Sequence, residues 1–194
     1  MHDIEPYYKW SEYYNAAEDK DSPFYGKVYD EFTYTKKVYN YFIHPQWDDF
    51  GSLTLYTKVL FVDYNDGLAM IELIGEWNDG IGNDIMFLKR EVIDPLLRRN
   101  INKFILFCDN VLNFHGDDDS YYEEWYDDAS EDGGWTTFVN VQDHVLQEME
   151  QSRLQYYVNL GPSYNNINWR HKAPELAIAH VLDNMSRATK QLRY

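Results

Sequence analysis

Two apolar runs joined by a tight turn constrain the fold of this chain more than any other feature. Residues 55–63 and 68–77 have the apolar and aromatic composition typical of strands. Asn65, Asp66 and Gly67 stand between them, and these residue types supply the backbone conformations that a short hairpin turn requires. The sequence therefore predicts an antiparallel β-hairpin over 55–77.

The hairpin leads into a strand–helix–strand unit. Asn83 or Asp84 is placed to cap a helix after the loop 78–83. Apolar side chains then recur on one helical face: Ile85, Leu88, Val92, Ile93 and Leu96. Pro95 has no N–H to donate, so we expect a kink there. Residues 101–107 form a nearly continuous apolar run, typical of a buried strand in a parallel pair. We therefore predict an α/β fold whose mixed sheet combines an N-terminal antiparallel hairpin with βαβ units.

The flanking segments carry weaker patterns. After the βαβ unit, the sequence predicts a strand over 136–141, a helix over 142–155, a loop over 161–173 and a final helix from Pro174. Before the hairpin, it predicts a short amphipathic helix over 7–17 and strands between 24 and 56, including one over 38–43.

The length of 194 residues is typical of one domain. We divide residues 1–194 into three parts: an aromatic-rich N-terminal extension (1–52), an α/β core (53–160), and a loop plus basic C-terminal helix (161–194). Arg187, Lys190 and Arg193 near the end of that helix would interact favourably with its dipole.

The charge balance restricts the classes of partner. Seventeen Lys and Arg stand against 33 Asp and Glu, a formal net charge of −16. Such a surface repels nucleic-acid phosphates and anionic lipid headgroups, so we expect neither nucleic acid nor membrane as a partner. Proteins with basic faces, cations and neutral ligands remain open.

Cys108 is the only cysteine, so the chain cannot form an intrachain disulfide or a cysteine-based zinc site. It lies in an apolar strand, where we expect a small buried side chain. No apolar run approaches the length that spans a bilayer. The first residues lack the basic and apolar regions of a signal peptide, and we expect a cytoplasmic protein.

Residues 117–132 form an acidic segment with nine carboxylates and no basic residue. An EF-hand is excluded because Tyr122 would occupy the loop position that requires glycine. We predict a helix with a solvated acidic face and an aromatic inner face of Tyr121, Tyr122, Trp125 and Tyr126. Irregular Ca²⁺ or Mg²⁺ binding is the alternative. The basic C-terminal helix of the same or a neighbouring subunit is a further candidate partner for this segment.

A glycine pattern suggests a second kind of site. Gly80 and Gly82 lie between a predicted strand and a predicted helix, and Asp109 follows the next strand, which is the order of a dinucleotide-binding unit. Ile85 at the third glycine position and a carboxylate at Asp84 oppose this interpretation. His115 is the best candidate for a ligand or general base among histidines that show no metal-binding spacing.

From Leu68 to about Leu160, the order of elements resembles a STAS domain, the fold of anti-sigma-factor antagonists. Three stretches carry the resemblance: the strand ending at 73–76, the helix from Asp84, and the strand 103–109 with Asn113 and Phe114 after it. The resemblance implies a regulatory protein-binding module with a phosphorylated Ser or Thr at a helix start. The nearest match is Ser120, which follows two aspartates and lacks the glycine of the family motif.

The leading interpretation is a non-enzymatic protein-binding or regulatory module that contacts a protein partner or a second copy of itself. The alternative is an enzyme or a nucleotide- or metal-binding protein that uses the 80–84 loop, Asp109 and His115. We assign no catalytic residue, metal ligand or cofactor. The candidate binding residues are Gly80, Gly82, Asp84, Asp109, His115, Asp117, Asp119 and Ser120.

Overall fold

The antiparallel hairpin at the centre of the fold is the one that the sequence predicts. The computed structural model describes residues 4–30 and 32–191, with side chains up to 188. Strands β1 (Lys37–Val38) and β2 (Tyr41–Phe42) form a separate two-stranded sheet. Strands β3 (Leu55–Asp63) and β4 (Leu68–Asn78) pair antiparallel, with a register shift between Val59 and Phe61. The turn between them includes Gly67 at φ 65°, a conformation that favours glycine.

The main sheet is mixed and has four strands in the order β3-β4-β5-β6. Strand β5 (Lys103–His115) runs parallel to β4, and strand β6 (Trp135–Val139) runs parallel to β5. The predicted parallel neighbours are therefore confirmed. Strand β5 extends eight residues beyond the apolar run 101–107, so Asp109 lies within the strand and not after it.

The connection between β4 and β5 is helical and interrupted. It comprises α1 (Asp79–Gly82), α2 (Asp84–Leu88), a π-helical turn (Lys89–Ile93) and α3 (Asp94–Leu97). The π turn ends at Ile93, two residues before Pro95, which has no N–H for an α-helical hydrogen bond to the carbonyl of Glu91. The predicted kink is thus present as a widened turn. Asn83 stands before α2, but its side chain makes no capping hydrogen bond.

One face of the sheet is covered by the elements that follow each parallel strand. These are the crossover helices, helix α4 (Ser120–Ser130) and helix α5 (Asp143–Gln151). Of the predicted inner face of α4, Tyr122 and Trp125 are buried, Tyr121 is half-buried, and Tyr126 is 46% exposed, so the prediction for Tyr126 is wrong. Cys108 is fully buried on this face, and burial raises the pKa of its thiol.

The opposite face is covered by a second layer, which we define as residues 7–10, residues 161–173 and helix α6 (Pro174–Gln191). Trp10, Trp169 and Val181 of this layer pack against Met70 and Phe107 of the sheet. Contacts between the N-terminal and C-terminal segments of the chain hold this layer together. Lys190 and Arg193 have side chains outside the described residues.

The predicted helix over 7–17 is wrong. The segment forms isolated turns, in which the N–H groups of Tyr13 and Tyr14 both donate to the carbonyl of Trp10. The Trp10 indole N–H donates to the carbonyl of Lys172, 2.9 Å away, so the spacing of apolar residues reflects contact with a distant loop. Tertiary packing thus replaces a continuous helix.

The predicted strand over 38–43 is also interrupted. Tyr39 has φ 53°, which turns the chain and leaves only the two-residue strands β1 and β2. Val38 and Ile43 nevertheless pack with Tyr56 and Ile74, which attaches this hairpin to the main sheet. The N-terminal extension is therefore part of the packed structure.

Candidate functional site

The ends of β4 and β5 place two sequence-predicted loops side by side. Asn78 and His115 are register partners at the carboxyl ends of these parallel strands. A Cβ built on Gly80 would lie 3.5 Å from the carbonyl oxygen of Gly116, which shows how closely the two loops approach. We call residues 79–83 and 115–120 together the carboxyl-edge surface. Ligands and partners of α/β proteins commonly contact this edge of a sheet.

Asp79 fixes the carboxyl-edge surface through hydrogen bonds to buried residues. Its Oδ1 accepts hydrogen bonds from the Trp77 indole at 3.0 Å and the Ile85 N–H at 2.8 Å. Its Oδ2 accepts the Tyr122 hydroxyl at 2.7 Å, which links the loop to helix α4. Burial raises the pKa of Asp79 to about 6 even though these three hydrogen bonds favour the charged form.

Asp84 is a buried structural carboxylate. Its Oδ2 accepts the Asn78 N–H at 2.7 Å and the Thr54 hydroxyl at 3.4 Å, while its Oδ1 has no hydrogen-bond partner among the described residues. A Cβ on Gly82 would lie 3.0 Å from that Oδ1. Two buried carboxylates thus stand at the start of the crossover, where a pyrophosphate would have to sit, and this arrangement disfavours a dinucleotide.

The outer face of the carboxyl-edge surface combines one apolar side chain with acidic groups. Ile81 is 92% exposed. His115, Asp117 and Ser120 are also exposed, and the His115 ring lies 2.9 Å from the amide nitrogen of Asn113. Asp119 is half-buried and accepts a hydrogen bond from the hydroxyl of Tyr157. The structure therefore brings Gly80, Gly82, His115, Asp117, Asp119 and Ser120 to one region.

Asp109 does not belong to that region. Its carboxylate accepts hydrogen bonds from Arg170 at 2.9 Å, the Trp169 indole at 3.0 Å and Asn140 at 3.1 Å. Trp169 packs in the second layer, whereas Asp79 and its partners lie in the core on the other face. The site that the sequence suggested from the 80–84 loop and Asp109 is consequently divided between two sides of the sheet.

Sequence reasoning missed a partly buried cluster around Arg170, which we call the Arg170 cluster (Glu72, Asp109 and Arg170). Glu72 is fully buried in the middle of β4 and pairs with Arg170, which also pairs with Asp109. The Tyr7 N–H donates to Glu72 at 2.8 Å. Burial raises the pKa of Glu72 to about 7, against the attraction of Arg170. The sequence signal for this cluster is the single carboxylate of Glu72 in an otherwise apolar strand. Its partner, Arg170, lies 98 residues further along the chain.

The acidic segment also has cationic partners within the chain. Lys89 of the π turn, with a side chain 1% exposed, pairs with Asp94 and, at 2.7 Å, with Asp128 of α4. Arg90 forms two hydrogen bonds with Glu124, at 2.6 and 2.9 Å. Burial lowers the pKa of Lys89, but its carboxylate partners outweigh that effect and raise it. Part of the like-charge repulsion in α4 is thus compensated internally.

Two further properties concern metals and membranes. Among residues 4–30 and 32–191, no three His, Cys, Asp or Glu side chains converge as a metal ion would require. No helix in the same part of the chain has the length and apolarity needed to cross a bilayer.

Comparisons with known proteins give structural similarities but no family. No family model matches the chain, and no curated protein matches it. The chain is similar to a crystal structure from Thermotoga maritima, described as a "putative anti-sigma factor antagonist". The TM-score is 0.43 and the sequence identity 17%, with 64% of this chain and 92% of that chain covered. The description of this neighbour names the same family as the sequence resemblance over residues 68–160. The mixed α/β fold itself follows from the strand pairings above.

Proposed function

We propose that this chain is a non-enzymatic protein-binding module whose contact surface is the carboxyl-edge surface. The observation that supports the proposal is the 92% exposure of Ile81 on a turn that Asp79 fixes from inside the core. A projecting apolar side chain on a rigid turn is suited to insertion into a partner's pocket.

The charge around Ile81 defines the chemistry of the partner. Asp117 and Asp118 are exposed on the adjacent loop, and the whole chain carries a formal charge of −16. Complementary charge accelerates association and selects among partners. We therefore propose a partner protein with a basic face around an apolar pocket. Self-association is the outcome to be distinguished from it.

The test compares two exposed apolar residues. Ile81→Asp should lower the capture of specific partners from a cell extract about tenfold, since it places a charge at the proposed centre of the contact. Leu176→Asp is the matched control, because Leu176 is 62% exposed on α6 in the second layer. Equal capture by the two variants would contradict the proposal. Sizing of the purified chain at physiological salt separates a partner from a second copy.

A further inference from the structure

A groove of about 370 Å³ lies between the β1–β2 hairpin and the first residues of β3. We call it the tyrosine groove, and the residues that define it here are Lys37, Tyr39, Leu53, Tyr56 and Glu76. It shares no residue with the carboxyl-edge surface. Its volume is near the lower limit for ligand pockets, which suits a single side chain better than a large cofactor.

Glu76 supplies a negative charge to this groove. It is half-buried near the end of β4 and forms no ion pair within the described part of the chain, residues 4–30 and 32–191. Lys37 is the nearby candidate, but its ammonium group lies over the Phe42 ring, 4.3 Å from the centroid. The cation that lines the groove is therefore engaged with an aromatic ring, and Glu76 remains available to a cation from outside.

Two tyrosines flank the carboxylate. Tyr39 is 55% exposed, whereas Tyr56 is only 8% exposed. Both Tyr39 and Glu76 line the groove. Burial, followed by the hydrogen bond with Glu76 and its charge, raises the pKa of Tyr39 to about 12. Aromatic faces attract cations, and the attraction grows as water is excluded.

Leu53 adds an apolar edge. Its side chain is 87% exposed two residues before β3 begins. Lysine and arginine carry long methylene stems that cover apolar surface while their charged ends reach a polar group. A carboxylate between aromatic and aliphatic walls matches both parts of such a side chain.

We propose that the tyrosine groove binds a lysine or arginine side chain of a partner protein. The net charge of −16 attracts basic partners over long range, and the carboxylate of Glu76 is the group with which the cation of the partner pairs. The contact is additional to the one at Ile81 and does not depend on it, because none of its residues lies in the carboxyl-edge surface.

The test is an NMR titration of the ¹⁵N-labelled full chain with Nα-acetyl-lysine methylamide and, separately, Nα-acetyl-arginine methylamide. At least one should cause saturable shifts confined to residues 35–39, 53–56 and 76. The norleucine analogue, which lacks the charge, should cause none. Glu76→Gln should lower the affinity at least fivefold.

Glu150→Gln is the matched control, since it removes the same charge from an exposed position on α5. It should leave the affinity within twofold of the original. Leu53→Ser, at a side chain that is 87% exposed, should also weaken binding and guards against a folding defect in Glu76→Gln. Shifts spread over the acidic helix α4, or equal losses in Glu76→Gln and Glu150→Gln, would show unspecific charge attraction and overturn the proposal.

Discussion

Glu72 and Asp79 are buried carboxylates that each join several segments of the chain. Glu72 connects β4 to residues 4–17 and to Arg170, while Asp79 connects the end of β4 to α2 and α4. Burial disfavours the charged form of both, so the folded protein holds their protons more tightly than the unfolded chain does. Ionisation of either group as the pH rises therefore reduces stability.

Asp79→Asn should change the pH dependence of unfolding. The pKa of Asp79 rises from 3.8 to about 6 on folding, so its favourable contribution is complete below pH 4 and is lost as the pH rises through 6. The loss is on the order of 3 kcal/mol. Urea unfolding at pH 4.5 and 7.5 should show a smaller decline with pH in Asp79→Asn than in the original chain. Equal declines would contradict this prediction; Glu150→Gln, at an exposed position, is the control.

Arg170→Met should destabilise the protein more at pH 8.5 than at pH 5.5. Below pH 7 Glu72 is largely protonated, whereas above pH 7 it is charged and depends on Arg170. Removing one member of a fully buried pair costs about 3 kcal/mol where both members are charged. Because the Arg170 side chain is 33% exposed, the loss should be smaller than this. Guanidinium unfolding at the two pH values measures the difference. Arg187→Met serves as control because Arg187 is 70% exposed, and an identical pH response in both variants would refute the interpretation.

The sequence pattern groups Asp109 with the 80–84 loop because it is expected just after a strand. In the structure, β5 continues past Asp109, and the carboxylate is hydrogen-bonded to Arg170 and Trp169. Glu72 was overlooked because the apolar residues around it are enough to predict the strand, so its carboxylate played no part in that prediction. Pairings over 60 to 98 residues arise where Trp169 and Arg170 pack onto the central strands, and local patterns do not report such contacts.

At the scale of elements, the acidic helix α4 is stabilised by the crossover that faces it. Lys89 and Arg90 lie on the π turn, which ends two residues before Pro95. Local rules predicted the βαβ unit, the kink and the acidic helix. They did not predict that the kinked segment supplies the cations, because that requires the packing of α4 against the crossover.

Lys89→Met should destabilise the protein by about 2 kcal/mol at low salt, since it leaves Asp94 and Asp128 without their closest cation. Added salt screens the remaining carboxylate repulsion, so the loss should shrink between 50 and 500 mM NaCl. Thermal unfolding at the two salt concentrations tests this. Lys9→Met, at an exposed position, should show little change, and a loss in Lys89→Met that is independent of salt would contradict the account.

At the scale of the whole molecule, both faces of the sheet are covered, and the two chain ends form the second layer together. Trp169 stacks on Phe107 with ring centroids 3.9 Å apart, and Trp10 packs against both rings. The hairpin and the parallel strands could be predicted because each follows from neighbouring residues. The second layer could not, because it joins residues 7–10 to residues 161–191.

Trp169→Ala should cost about 3 to 5 kcal/mol, the range for removing a large buried aromatic side chain. Because Trp169 contacts both ends of the chain, amides in residues 7–10 and in α6 should exchange with solvent faster than those of β4 and β5. Hydrogen exchange detected by mass spectrometry checks this. Uniform acceleration over the whole sheet would indicate that the second layer does not behave as a unit.

The most direct measurement of the proposed binding function is hydrogen exchange of the chain alone and in complex with a protein that the original chain captures and Ile81→Asp does not. The account predicts slower exchange at residues 79–83 and 115–120 in the complex. Unchanged exchange at both segments, with protection confined to α6 or other distant elements, would contradict the assignment of the carboxyl-edge surface as the contact.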